Sequence, residues 1–177
     1  MNFESTSLPG AYLITLDRLA DLRGFFARTF CQNEFGMHGL PTNVVQSNIS
    51  FNKRKGTLRG MHFQRGEAAE AKLVCCAAGA IYDVIVDLRP DSPSYLKWYG
   101  RTLTMSNKEM LFIPKGLAHG FQSLCDDSEV SYQMFDFYAP ESASGVRWND
   151  PAFGIEWPEE SQRIISEKDM SYPDYRP

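Results

Sequence analysis

Two histidines stand apart in this chain because of the residues around them. His62 lies in Leu-Arg-Gly-Met-His-Phe-Gln at 58–64, beside Arg59, and His119 ends Pro-Lys-Gly-Leu-Ala-His at 114–119. With no carboxylate close by in sequence, two imidazoles make a weak metal site but a good acid–base site, since an unperturbed imidazole titrates near neutral pH. A lone histidine in a strand is more often a half-buried residue with its nitrogens satisfied. The neighbours weigh against that here. Arg59, Gln46, Asn48, Lys72 and Tyr132 all lie in or beside runs that read as strands, and a barrel interior does not gather so many polar groups for stability.

The elements that must position these groups have a period of two. In Ala80–Leu88, Tyr82, Val84, Val86 and Leu88 alternate with Ile81, Asp83, Ile85 and Asp87, which predicts a strand with Asp83 facing inward, placed to orient one of the two histidines. Similar runs at 11–16, 44–50, 58–64, 72–77, 99–105, 110–113 and 129–138 are separated by turn clusters such as Lys-Arg-Lys-Gly at 53–56. Many short strands at regular spacing predict an all-β jelly roll or barrel. Short helices are expected near Gln32–Met37 and around Glu159–Ile165, and the tail from Tyr172 onward is expected to lie along the body or fray. Arg59 and His62 are three apart, so a regular strand would send them to opposite faces. Either Gly60 marks a bulge or Arg59 meets a different part of a ligand.

The chain has 177 residues, about the length of one domain, and a net charge of −4, which excludes a basic footprint for nucleic acid. No run approaches the ~20 apolar residues of a membrane helix, and the first residues lack the basic and apolar regions of an export signal, so a cytoplasmic protein is expected. Cys75 and Cys76 are adjacent and Cys31 and Cys125 stand alone, a pattern of small buried thiols rather than of zinc ligands or disulfides.

A series of short motifs runs along the chain: Asp-Leu-Arg-Gly-Phe-Phe at 21–26, Gln-Ser-Asn at 46–48, the run at 58–64, Lys-Leu-Val at 72–74 and Asp-Val-Ile-Val-Asp-Leu-Arg at 83–89. The series continues through Ser-Pro at 92–93, Ile-Pro-Lys-Gly-Leu-Ala-His-Gly-Phe at 113–121, Tyr132, Trp-Asn-Asp-Pro at 148–151 and Ser-Glu-Lys-Asp at 166–169. This is a resemblance, over nearly the whole length, to the dTDP-4-dehydrorhamnose 3,5-epimerases of the cupin superfamily. It implies a cupin-type jelly-roll β-barrel with minor short helices, and an epimerase of a nucleotide-linked 4-keto-6-deoxy hexose that serves cell-surface polysaccharide synthesis. It implies no metal and no cofactor.

Such a reaction needs a base on one face of the sugar ring, a proton donor on the other, and a group that stabilises the enolate between the two events. By resemblance His62 is the base with Asp169 as its partner, Tyr132 the proton donor and Lys72 the enolate stabiliser. Arg59 holds the diphosphate, Arg23 reaches the site across a homodimer interface, and Gln46, Asn48, His119 and Lys168 line the sugar and nucleotide pocket. Three positions depart from the family. Arg28 and Ser144 stand where acids are usual, with Glu141 close to the second, and Cys75 stands where an arginine is common. The proton-transfer set is intact, so these departures bear on the nucleotide rather than on the reaction. Two other readings compete: a metal-dependent cupin, for which 114–119 has the PxGxxH form but 62–64 lacks the needed His-x-His, and a silent sugar-nucleotide binder.

Overall fold

The computed structural model describes residues 1–176. Two antiparallel sheets face each other. The first runs in the order β1 (Asn2–Ser5), β2 (Tyr12–Thr15), β10 (Met110–Ile113), β7 (Lys72–Ala78), β12 (Ser128–Met134) and β5 (Gln46–Asn52). The second runs β13 (Ala143–Gly145), β6 (Thr57–Gln64), β11 (Leu117–Ser123), β8 (Ala80–Asp87) and β9 (Trp98–Thr104), with the two-residue β14 (Ile164–Ile165) parallel to the start of β6. A separate hairpin, β3 (Leu19–Asp21) and β4 (Gly24–Phe26), projects with all six of its residues exposed. The architecture is the jelly roll that the strand spacing and the resemblance implied.

Between the sheets, Leu13, Val74, Leu111 and Val130 meet Ile81, Ile85, Leu103 and Phe121. Each fully buried side chain of this kind contributes roughly 1.5–3 kcal/mol. The outer faces are covered as well. The six-residue helix α1 (Gln32–Met37) sends Phe35 onto the first sheet against Leu73 and Phe112, while Phe153, Trp157 and Tyr175 from the C-terminal loops cover Val84 and Val86 on the second. Both faces of β8 are therefore buried, whereas its sequence alternation suggested one apolar and one mixed face. The same double cover explains β11, buried at all seven positions. A strand dry on both sides need not alternate, so periodicity did not reveal it.

The helix expected around Glu159–Ile165 is not there. Ile164 instead donates its N–H to Gly56 O at 2.9 Å and pairs with β6, and the Arg163 guanidinium lies over the Trp148 ring while binding Gln122 Oε1 and Pro158 O. These tertiary contacts hold the segment extended, and a weakly helical stretch of seven residues cannot resist them. Helix forms one step later as α2 (Glu167–Met170), where the Ser166 hydroxyl accepts from Asp169 N, a cap worth about 1 kcal/mol. The tail lies along the body. Tyr175 donates its backbone N–H to Asp150 and its hydroxyl meets that of Tyr95 at 2.9 Å; Pro177 is outside the described residues. Among the described residues no helix is long and apolar enough to cross a membrane.

Candidate active site

The pairing of β6 with β11 sets His62 directly opposite His119. From there the register slips: Phe121 pairs with Arg59, so one residue of β11, Gly120, is opposed by two of β6, Gly60 and Met61. Gly60 sits in that bulge with φ +137°, and a Cβ on it would fall 2.5 Å from Gly120 Cα, so only glycine fits. The extra residue restores parity. Arg59 and His62 face the same cavity, which resolves the conflict raised by their spacing of three.

That cavity, about 320 Å³, opens between the two sheets. Arg59, His62 and His119 approach from the second sheet, Lys72 and Tyr132 from the first, and Lys168 from α2. His62 is the accessible member of a half-dry pair: its side chain is 44% exposed, while that of Asp169, 2.7 Å from Nε2, is 6% exposed. Burial pushes the Asp169 carboxyl up, but the His62 ring, the Gly60 N–H and the Ser166 hydroxyl together outweigh it, and the group lies below the ordinary carboxylate range. An ionised Asp169 accepts from Nε2–H and leaves Nδ1 as the basic nitrogen of His62. By itself the sequence made Asp169 an exposed charge near the C-terminus. In the fold it is buried, brought to His62 across 107 residues by β14 and the capped turn of α2.

His119 forms a second such pair. Its Nε2 is 2.8 Å from Asp83 Oδ1, with Asp83 wholly buried behind it, facing inward as the alternation of β8 required. Lys72 lies on an interior strand, buried, and binds Glu70 at 2.8 Å; it is not a lysine snorkelling from a sheet edge. Tyr132 stands opposite Asn48 on β5 and packs its ring against the inter-sheet core, with Val130 and Met134 on the same face. Gln46 shares the inward side of β5, and its side-chain oxygen accepts from Tyr138 N at 2.7 Å.

Arg23 and Arg28 do not reach the cavity of their own chain. Arg23 is 89% exposed on the projecting hairpin and paired with Asp21; Arg28 is paired with Glu34 beside α1. Ser144 lines the cavity, whereas Glu141 is exposed and does not. Cys75 faces outward against the cluster around Phe35. Sequence reasoning passed over Glu70 and Gln64, which also line the cavity. The signal for Glu70 was its spacing: two residues before Lys72, on the same side of an extended chain. Gln64 occupies the place of the second histidine of a cupin metal motif, and its amide is spent on the backbone at Ala68, Phe137 and Ala139. Among the described residues no three His, Cys, Asp or Glu side chains gather around one point.

The family profile of dTDP-4-dehydrorhamnose 3,5-epimerase matches residues 5–176. The dTDP-4-dehydrorhamnose 3,5-epimerase of Escherichia coli (strain K12) is 45% identical over 170 residues, covering 96% of this chain and 91% of that protein. Among solved structures, dTDP-4-dehydrorhamnose 3,5-epimerase from Bacillus anthracis with TDP and PPi bound superposes with a TM-score of 0.94 at 39% identity, covering 98% of this chain and 99% of that one. The dTDP-6-deoxy-D-glucose-3,5-epimerase of Legionella pneumophila, in complex with dTDP-4-keto-L-rhamnose, does so with a TM-score of 0.90 at 34% identity and 99% coverage of both chains. With a jelly roll whose inner faces carry this set of groups, and with likeness of this extent in sequence and structure, the chain belongs to the dTDP-4-dehydrorhamnose 3,5-epimerase family.

Proposed function

We propose that the protein is an isomerase that inverts carbon 3 and carbon 5 of a dTDP-linked 4-keto-6-deoxy hexose. The observation that carries this reading is the His62–Asp169 pair facing a cavity shared with Lys72 and Tyr132. A proton on a carbon next to the C4 carbonyl is acidic because its loss gives an enolate. His62 Nδ1 takes that proton, and the ionised Asp169 stabilises the imidazolium that forms. The electron pair moves onto the carbonyl oxygen, where the Lys72 ammonium holds it. Tyr132 then delivers a proton to the opposite face of the same carbon, inverting it; the phenolate is reprotonated from solvent and the His62 imidazolium gives its proton up to solvent, which resets both groups. Arg59, His119 and Lys168 hold the diphosphate and sugar, Asp83 orients His119, and Gln46 and Asn48 on the inward side of β5 meet the nucleotide end of the substrate. Proton transfer on an activated carbon calls for no metal or redox group.

Incubation with dTDP-, CDP- and GDP-linked 4-keto-6-deoxy sugars in deuterated water tests this. Deuterium is expected at carbons 3 and 5 of the dTDP sugar, at the same rate with and without a chelator. No exchange on the dTDP sugar would end the reading, and exchange that disappears on chelation would favour a metal-dependent cupin.

We further propose a homodimer in which Arg23 enters the partner's site. The hairpin that carries Arg23 exposes Leu19, Leu22, Phe25 and Phe26, and the edge strand β5 exposes Ile49 and Phe51. An apolar edge of this extent calls for a partner, and a twofold dimer covers both copies at once. Arg23→Ala should remain dimeric by light scattering and raise KM about 10-fold or more, the usual effect of losing a charged hydrogen bond to phosphate. A monomer with full activity at the same dilution would contradict this proposal.

A further inference from the structure

Among the described residues Glu70 is the one acid on the cavity wall, beside three cationic side chains (Arg59, Lys72 and Lys168) and two histidines. Its place there is unfavourable on simple grounds. A carboxylate repels both a diphosphate and a forming enolate, and taking it out of water is costly. Yet Glu70 and Lys72 are 7% and 8% exposed, and both carboxylate oxygens are engaged: Oε1 binds Lys72 Nζ at 2.8 Å and Oε2 accepts Gln64 N at 2.8 Å. The second bond clamps the carboxylate to β6, so the first can aim the ammonium from β7. Gln64 in turn holds the 137–139 segment, whose Tyr138 is another wall of the cavity.

We infer that Glu70 is a positioning residue for the enolate-stabilising step, holding the buried Lys72 ammonium aimed into the cavity. The inference rests on the role given to Lys72 above. The groups facing Lys72 are Arg59 and His62 from β6, His119 from β11, Tyr132 from β12 and Lys168 from α2, and none supplies a negative charge in the resting site. Asp83 and Asp169 stand behind the histidines and are committed to them. Without Glu70 the Lys72 ammonium loses the partner that fixes its direction at 2.8 Å and can turn away from the enolate oxygen.

The test is steady-state kinetics on dTDP-4-keto-6-deoxyglucose. Glu70→Gln should lower kcat about 10- to 100-fold near pH 8 and leave KM within about threefold, the split expected when an interaction made only in the transition state is lost. Glu70→Asp, which keeps the charged partner, should recover most of that kcat. In a Lys72→Met background Glu70→Gln should add no further loss, because the two residues act as one unit. That pair removes both buried charges together and so also serves if Glu70→Gln alone does not fold. A loss carried by KM rather than kcat, or the same loss repeated in the Lys72→Met background, would overturn the inference and leave Glu70 as a structural tie to Gln64. Wild-type turnover and its loss in Lys72→Met test the underlying reading separately. Their failure would end that reading and this inference with it, whereas failure of the Glu70 variants alone would leave the reading intact.

Discussion

His62→Ala is expected to lose deuterium exchange at both carbon 3 and carbon 5, with turnover down about 10²–10⁴-fold, the range for removing a positioned general base. Both positions fail together because one imidazole facing one cavity serves each deprotonation. The fold should survive. His62 is half exposed and its removal widens an existing cavity, while Asp169 keeps the Gly60 N–H at 3.2 Å. Stripping one partner from a buried carboxylate costs about 1–3 kcal/mol against a total stability of about 5–15 kcal/mol. Nucleotide affinity should change little, since Arg59 and Lys168 are untouched. Exchange measured by NMR decides the matter: a variant that still exchanges at either carbon rules out His62 as the base.

Tyr132→Phe should separate the two halves of the reaction. Phenylalanine keeps the ring that packs on the inter-sheet core and removes only the hydroxyl, so deprotonation by His62 and stabilisation by Lys72 continue. The returning proton then comes from His62 itself or from water. Exchange should persist within about 10-fold of wild type while inversion falls about 10²-fold or more, the scale of one lost general acid. NMR should show deuterated sugar that is mostly uninverted, or inverted at one carbon only. Equal loss of exchange and inversion would make Tyr132 a packing or binding residue, and a fully active variant would mean that another group donates the proton.

Much of the site was legible because its groups sit in short motifs with strand periodicity. Alternation along 80–88 turned Asp83 inward, and the structure sets it against His119. Parity also put Lys72 on the same side as Val74 and Cys76, and these three do face the interior. The α1 span, Gln32–Met37, coincides with the stretch expected to be helical. Where parity itself is broken the sequence left two alternatives open, a bulge at Gly60 or a different contact for Arg59, and could not choose between them. The bulge at Gly60 reverses the side on which Arg59 emerges, and it depends on the close approach of Gly120, a neighbour remote in sequence.

Local sequence, then, determined the all-β class, most of the strands and the polar side chains carried on them, because side-chain periodicity and residue type are properties of a few consecutive residues. Tertiary structure alone decided which charges are dry and which are paired. Asp169 and Glu70 look like ordinary surface acids in the sequence, yet each is buried and bound to a side chain of the cavity, His62 or Lys72. Glu159–Ile165 reads as weak helix, yet contacts with Gly56, Gln122 and Trp148 hold it extended and so deliver Asp169 to His62. Burial is a sum over neighbours brought together by chain closure, and for His62 and Asp169 those neighbours are 107 residues apart. No local pattern carries that information, because the desolvation that gives these carboxylates their effect exists only once the two sheets have closed over them.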